Sequence, residues 1–161
     1  MNLEIDKLDL EILSILMQDA QTPYTEIAKR LVVSGGTVHV RMKKLIGMGV
    51  VKGSHLEIDA SRLGYDICAF VGMFLEKGSL YNRIVKQLEQ IPEITEIHYT
   101  TGRWGIFLKI VSRNTKDLRS ILNDKVQPIE GVQRTETFIS LEESLRRPIR
   151  ILQEGELDIA G

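Results

Sequence analysis

The chain has 161 residues, 43% of them apolar and 27% charged, with a net charge of −1 at neutral pH. That length suits one large domain or two small ones, and the balanced charge gives no global pull toward nucleic acid or an anionic membrane. The acidic opening MNLEIDKLDLE lacks a basic, apolar-cored leader, no apolar run approaches the roughly 18 residues of a bilayer span, and the single cysteine, Cys68, excludes an internal disulfide, so a reduced cytoplasmic setting is expected.

The first predicted helix opens at Asp6, an N-cap, with Asp9 at N3 facing the positive end of the dipole. Leu8, Ile12, Ile15 and Leu16 give it one apolar stripe. A short second helix follows, with Thr22 as its cap, Pro23 at N1, and Ile27, Ala28 and Leu31 inward. Ser34 caps a third, whose stripe is Val38, Met42, Leu45 and Ile46, and Gly47 and Gly49 bracket its end. A short helix, a tight turn and a second helix make a helix-turn-helix.

Charge is uneven across this region. Residues 27 to 56 hold Lys29, Arg30, Arg41, Lys43, Lys44 and Lys52 and no Asp or Glu. A solvated face explains scattered charge equally well, but a window free of acid favours a polyanionic partner. Gly35 and Gly36 stand where the first turn of a recognition helix enters a major groove. Small residues there let the backbone approach closely and offer free N–H groups to phosphate, although a loose turn also accounts for them. With Val38, Met42 and Leu45 inward, Gly36, Thr37, Val40, Arg41 and Lys44 are expected on the outer side. Arg41 suits a bidentate guanine or phosphate contact, Lys43 and Lys44 suit phosphate, and Thr37 and His39 suit base edges. The expected double-stranded DNA surface is Ser34, Gly35, Gly36, Thr37, His39, Val40, Arg41, Lys43 and Lys44.

Residues 53–66 read as an extended, polar linker with no clear two-stranded wing. ICAFVGMFLE (67–76) then reads as a strand with two apolar faces, Ile67, Ala69, Val71, Met73 and Leu75 on one side and Cys68, Phe70, Gly72 and Phe74 on the other. A helix with Leu80, Ile84, Leu88 and Ile91 inward, two strands joined at Gly102–Arg103, a helix using Leu118, Ile121, Leu122 and Val126, and a strand VQRTETFISLE complete the order β-α-β-β-α-β. That order is a ferredoxin-like split βαβ. Helices cover one sheet face. The other, still apolar, calls for a partner, which points to a homodimer; the alternative is that the tail RRPIRILQEG crosses it.

The helix-turn-helix with Ser34, Arg41, Leu45 and GVV, and the phrases GTVHVR, LGYD, YTTG and RTETFI, resemble the Lrp/AsnC (feast/famine) family of transcriptional regulators, nearest its AsnC branch. The likeness runs over roughly residues 4–150. It implies an α+β chain: an N-terminal helix-turn-helix, winged-helix-like domain (1–52), a linker (53–66), a C-terminal ferredoxin-like effector-sensing and dimerisation domain (67–142) and a tail (143–161). It further implies sheet-to-sheet homodimers, assembly toward octamers, and a small amino-acid effector, with asparagine the first candidate.

TTGRWG (100–105) is a turn in which Gly102 permits positive φ and exposes N–H groups to a carboxylate. The resemblance places the effector beside this turn, in a cleft between subunits, and so marks Tyr99, Thr101, Gly102 and Arg103, with Asn123 and Asp124 facing them. Gln133, Thr135 and Glu136 would supply donors and acceptors to an asparagine side chain. A plain hairpin turn, with Trp104 merely packing, is the competing reading. His39, His55 and His98 lack metal-ligand spacing, and no nucleotide loop or nucleophile elbow appears, so no metal, cofactor or enzyme activity is expected. The alternative is a sirohaem-type decarboxylase, a tetrapyrrole enzyme of related fold, with His98 near a ligand carboxylate.

Overall fold

The computed structural model describes residues 4–151. The chain divides into two compact units: residues up to Leu56 joined by the segment from Leu145 onward, and Glu57–Ser144.

In the first unit, α1 (Lys7–Gln18), α2 (Tyr24–Arg30) and α3 (Gly35–Gly47) enclose a core of Ile12, Ile15, Ile27, Ala28, Val38, Met42 and Leu45. The apolar spacing read from the sequence supplies this core, except that Ile46, expected on the inward stripe of α3, is 54% exposed. Asp6 and Asp9 form a reciprocal capping box at the head of α1, and the Ser34 hydroxyl accepts the Thr37 N–H at the head of α3. Gly49, at φ +72°, turns the chain after α3. The entry to α2 differs from expectation: Pro23 is the cap, and Thr22 instead donates its hydroxyl to the Asp19 carbonyl, 2.9 Å away. Proline has no cap side chain, but its fixed φ starts the helix.

Residues 51–59 form no strand, in keeping with the absence of a wing. The expected linker is divided: its first part stays with the helices and residues from Glu57 join the sheet unit. The tail is described through Ile151. Its segment from Leu145 belongs to the helical unit, where Ile149 and Ile151 line an apolar groove with Leu13, Leu16, Met17, Met42 and Ile46. The remainder of the tail lies outside the described residues.

The second unit is a four-stranded antiparallel sheet in the order β2-β3-β1-β4, built from β1 (Ile67–Leu75), β2 (Ile94–Tyr99), β3 (Ile106–Ser112) and β4 (Val132–Ile139). Helix α4 (Tyr81–Leu88) and helix α5 (Thr115–Ser120) pack on one face, α5 continuing as a π-helical turn over Ile121–Val126. Ala69, Val71, Met73, Ile106, Leu108 and Ile110 meet Ile84, Leu88, Ile91, Leu118, Ile121 and Val126 in one core. Burying each aliphatic side chain of this kind is worth about 1.5–3 kcal/mol.

The other sheet face carries rings. Phe70 stacks on Phe107 at 5.9 Å between centroids, and Trp104 contacts Phe107 at 5.4 Å and Phe138 edge-on at 5.8 Å. Gly72 lies beneath Trp104, where a Cβ would come within 2.5 Å of the indole. Only glycine lets the ring lie flat on the strand at that position. No helix of this unit covers this face, and Phe138 remains 48% exposed. Cys68 sits on it too, its thiol pushed up by burial.

Candidate nucleic-acid interface and effector site

Along α3, the exposed residues after the Ser34 cap are Gly36, His39, Val40, Lys43, Ile46 and Gly47, spaced to form one stripe. Val40 is 65% exposed, an apolar side chain left uncovered among the described residues. His39 leans on Tyr24 at 6.2 Å between ring centroids. The Ser34 and Thr37 hydroxyls are 2.8 Å apart. Neither Gly35 nor Gly36 has positive φ, a Cβ on Gly35 would meet nothing within 4 Å, and one on Gly36 would meet only the Ser34 hydroxyl at 3.6 Å. The fold itself therefore does not require glycine at either place.

Arg41 and Lys44 depart from the sequence reading. They flank the outer stripe and reach across to the start of α1. Arg41 bonds to Asp6 and, at 3.2 Å, to Asp9; Lys44 bonds to Asp9 at 2.9 Å and to the Glu4 carbonyl at 2.6 Å. Asp9 is fully buried, and an ionised carboxylate in that position needs partners of opposite charge. The same two aspartates thus cap a helix and neutralise two cations. The Asp6 carboxyl is held below its ordinary range by the Asp9 backbone N–H and then by Arg41, while Asp6 raises the Arg41 guanidinium in turn. Arg30 is likewise paired with Glu26. Of the six cations in the acid-free window, Lys29, Lys43 and Lys52 form no ion pair among the described residues. Lys43 alone of these stands on the stripe.

The candidate effector turn lies between β2 and β3. Gly102 has φ +108°, and the Thr100 hydroxyl donates to the Trp104 carbonyl at 2.7 Å. Thr101, Gly102 and Arg103 are exposed, and the Tyr99 ring packs against Tyr81 at 4.3 Å between centroids, tilted by 43°. Glu136, on β4, is joined to the turn: it accepts Arg103 at 2.7 Å and the Trp104 indole N–H at 3.0 Å. Arg103 and Arg134 also lie over the Phe74 ring, at 5.6 and 4.0 Å. Sequence reasoning marked Arg103 and Glu136 but missed Phe74, Arg134 and the bond from Trp104. The alternation of β4, with Glu136 opposite Gly72, would have put Glu136 beneath the turn.

Other marked residues are not gathered there. Asn123 and Asp124 are exposed on the π-helical turn; Asp124 accepts the Ser120 hydroxyl at 2.7 Å, and no hydrogen bond or ion pair joins either to the 100–105 turn among the described residues. Thr135 pairs opposite Met73, on the helix-covered side, and takes a bond from Gln127 at 3.2 Å. Neighbours on a strand face opposite ways, so Thr135 and Glu136 lie on opposite faces of the sheet. Gln133 falls at the irregularity where Leu75 pairs with Val132 and Phe74 with Arg134. His98 is exposed on β2, 3.4 Å from Glu96. No cluster of three metal-ligating side chains occurs among the described residues, and none of the helices there is long and apolar enough to cross a membrane.

A helix-turn-helix with a small, lysine-bearing outer stripe, joined to a ring-faced ferredoxin-like unit with a glycine turn, defines a DNA-binding chain with a separate ligand-binding module. Family models agree: the AsnC-type helix-turn-helix domain matches residues 5–46 and the Lrp/AsnC ligand binding domain matches 68–149. The Regulatory protein AsnC of Haemophilus influenzae is 44% identical over 91% of this chain and 97% of its own length. The solved structure of Escherichia coli AsnC superposes with a TM-score of 0.85 at 39% identity, covering 90% of this chain and 97% of that one. A Neisseria meningitidis transcriptional regulator, solved as a complex with L-Met, shares the fold at a TM-score of 0.83 and 19% identity, over 89% of this chain and 94% of its own. The chain belongs to the Lrp/AsnC family of transcriptional regulators. Its relatives carry regulator names, and nothing in the comparisons favours the decarboxylase reading.

Proposed function

We propose that this protein binds duplex DNA as a homodimer and that a free amino acid, with asparagine the first to test, alters that binding or the assembly behind it. The observation that carries the reading is the α3 stripe. It is free of acid, it presents Lys43, and its two leading glycines serve no need of the fold. Close approach of a partner backbone is what such residues permit. Ser34, Gly35, Gly36, Thr37, His39, Val40 and Lys43 form the first contact surface. Arg41 and Lys44 join it only by exchanging Asp6 and Asp9 for phosphate.

The ring-lined sheet face supplies the pairing surface, and two recognition helices in a symmetric pair would meet half-sites a helical turn or a multiple apart. The amino acid is placed at the Tyr99–Arg103 turn, where the Arg103–Glu136 pair offers both signs of charge to a zwitterion. The complex of the Neisseria relative with L-Met supports an amino acid as the ligand class. Effector and DNA are coupled only if the effector prefers one assembly, and a coupling of about 1–3 kcal/mol is typical.

Fluorescence anisotropy with labelled promoter DNA tests this, using Gly36→Ala with and without L-asparagine. The variant should fold at least as stably as the parent, because alanine favours helix, yet bind DNA more weakly. Unchanged affinity would remove the first turn of α3 from the interface.

A further inference from the structure

The tail carries charge that the α3 stripe does not account for. Residues 144–153, SLRRPIRILQ, hold Arg146, Arg147 and Arg150 and no Asp or Glu. The segment from Leu145 belongs to the helical unit, not to the sheet unit it follows in the chain. Two concavities meet at Ile149. One is the apolar groove, of about 630 Å³, which takes Ile46 from α3, Ile151 from the tail and, as its one charged lining residue among those described, Lys52. The other, of about 520 Å³, is lined among the described residues only by Arg147, Pro148, Ile149 and Arg150. Lys52, Arg147 and Arg150 are all exposed, and they collect around the two concavities with no described carboxylate in either lining.

Ile46 joins this patch to the stripe, since it is both a wall of the groove and an exposed member of the α3 row. The patch therefore borders the end of the row remote from Ser34. A recognition helix that enters the major groove by its first turn leaves that end near the phosphate backbone. Pro148 fixes its own φ at about −65° and steers Arg147 toward extended backbone, so this arm has less freedom to lose on meeting a partner. A guanidinium presents a planar fork of donors that matches phosphate. We infer that the tail is a second DNA-contact element, in which Arg147 and Arg150, with Lys52, meet backbone phosphates flanking the bases that α3 faces. It rests on the reading of α3 as the DNA-facing helix. Contacts of this kind strengthen binding to any duplex and read no sequence.

The test is a salt titration of duplex binding by fluorescence anisotropy, with the full-length protein on promoter DNA and on a random duplex. Arg147→Ala/Arg150→Ala should bind both duplexes about tenfold more weakly and lower the slope of log affinity against log salt by about 1.8, the share of two phosphates. Arg147→Lys/Arg150→Lys should keep the parent slope, because charge rather than packing releases the counterions. Lys86→Ala/Lys116→Ala removes the same charge from exposed positions of the sheet unit and should leave the slope in place. The tail has no such role if the alanine pair keeps the parent slope, if the lysine pair loses as much as the alanine pair, or if the sheet-unit pair does. A slope lowered in Lys43→Ala but not in the alanine pair refutes the tail alone; a parent that binds neither duplex refutes the reading of α3 and the tail with it.

Discussion

The two units leave opposite kinds of surface unanswered. The helical unit spends its acids on its own cations: Asp6 and Asp9 take Arg41 and Lys44, Glu26 takes Arg30, and the stripe left outward is small, sparsely charged and headed by glycine. The sheet unit lays its cations on rings, Arg103 and Arg134 over Phe74, and leaves Phe70, Phe107, Trp104 and Phe138 together on a face with no helix of its own. The first surface lacks an anion and room-filling bulk; the second lacks apolar cover. What each unit fails to satisfy internally is the basis for the partners proposed above, DNA in one case and a second copy in the other.

The severest way to break that contrast is Phe107→Asp. An unpaired carboxylate at the centre of the ring cluster should abolish self-association outright, read by sedimentation as a single subunit at concentrations where the parent pairs. A variant that still pairs would assign the dimer to another surface. Next in size is Asp9→Asn. Breaking a buried pair costs about 3–5 kcal/mol when both partners are dry, but Arg41 and Lys44 remain partly wet, so a loss of about 1–3 kcal/mol is expected in urea unfolding. The same change frees Lys44 from its ion pair while Arg41 keeps Asp6, so binding to random DNA in dilute buffer should tighten even as the fold weakens.

Lys43→Ala sharpens the comparison at the level of one contact. The slope of log affinity against log salt should fall by about 0.9, the share of one phosphate, whereas a lysine that only faces water would leave it unmoved. The smallest effect concerns pH. Asp6 has a native carboxyl pKa depressed from its ordinary 3.8, so the unfolded chain binds the proton more readily. Its contribution is therefore fully present above about pH 5 and is lost as pH falls through the native value. Asp6→Asn should flatten that acid limb of the stability profile, by a small amount because the side chain is half exposed.

Much of this was legible in the sequence where the governing interaction is local or periodic. The caps Asp6 and Ser34 act over three residues, the stripes of α1 and α3 repeat every turn, and the doubly apolar β1 declares an uncovered face whatever covers it. Contacts between distant segments were not legible. Asp6 and Arg41 are 35 positions apart, and a window free of acid along the chain is not free of acid in space. That Thr135 and Glu136 lie on opposite faces follows from the register with β1, and Asn123 and Asp124 are tied to the turn only by resemblance. The described part of the tail carries Ile149 and Ile151 into an apolar groove of the helical unit, a placement its sequence did not announce.

Trp104 occupies two places at once. Its main chain closes the glycine turn through Thr100, its indole is tied to Glu136, and its ring rests on Gly72 among the phenylalanines. Whatever reseats the backbone at Gly102 must drag or tilt that indole, because no spare volume separates it from the strand below. The turn and the ring-lined face thus share Trp104, so a ligand bound at the proposed turn site would be felt on the proposed pairing surface through one side chain.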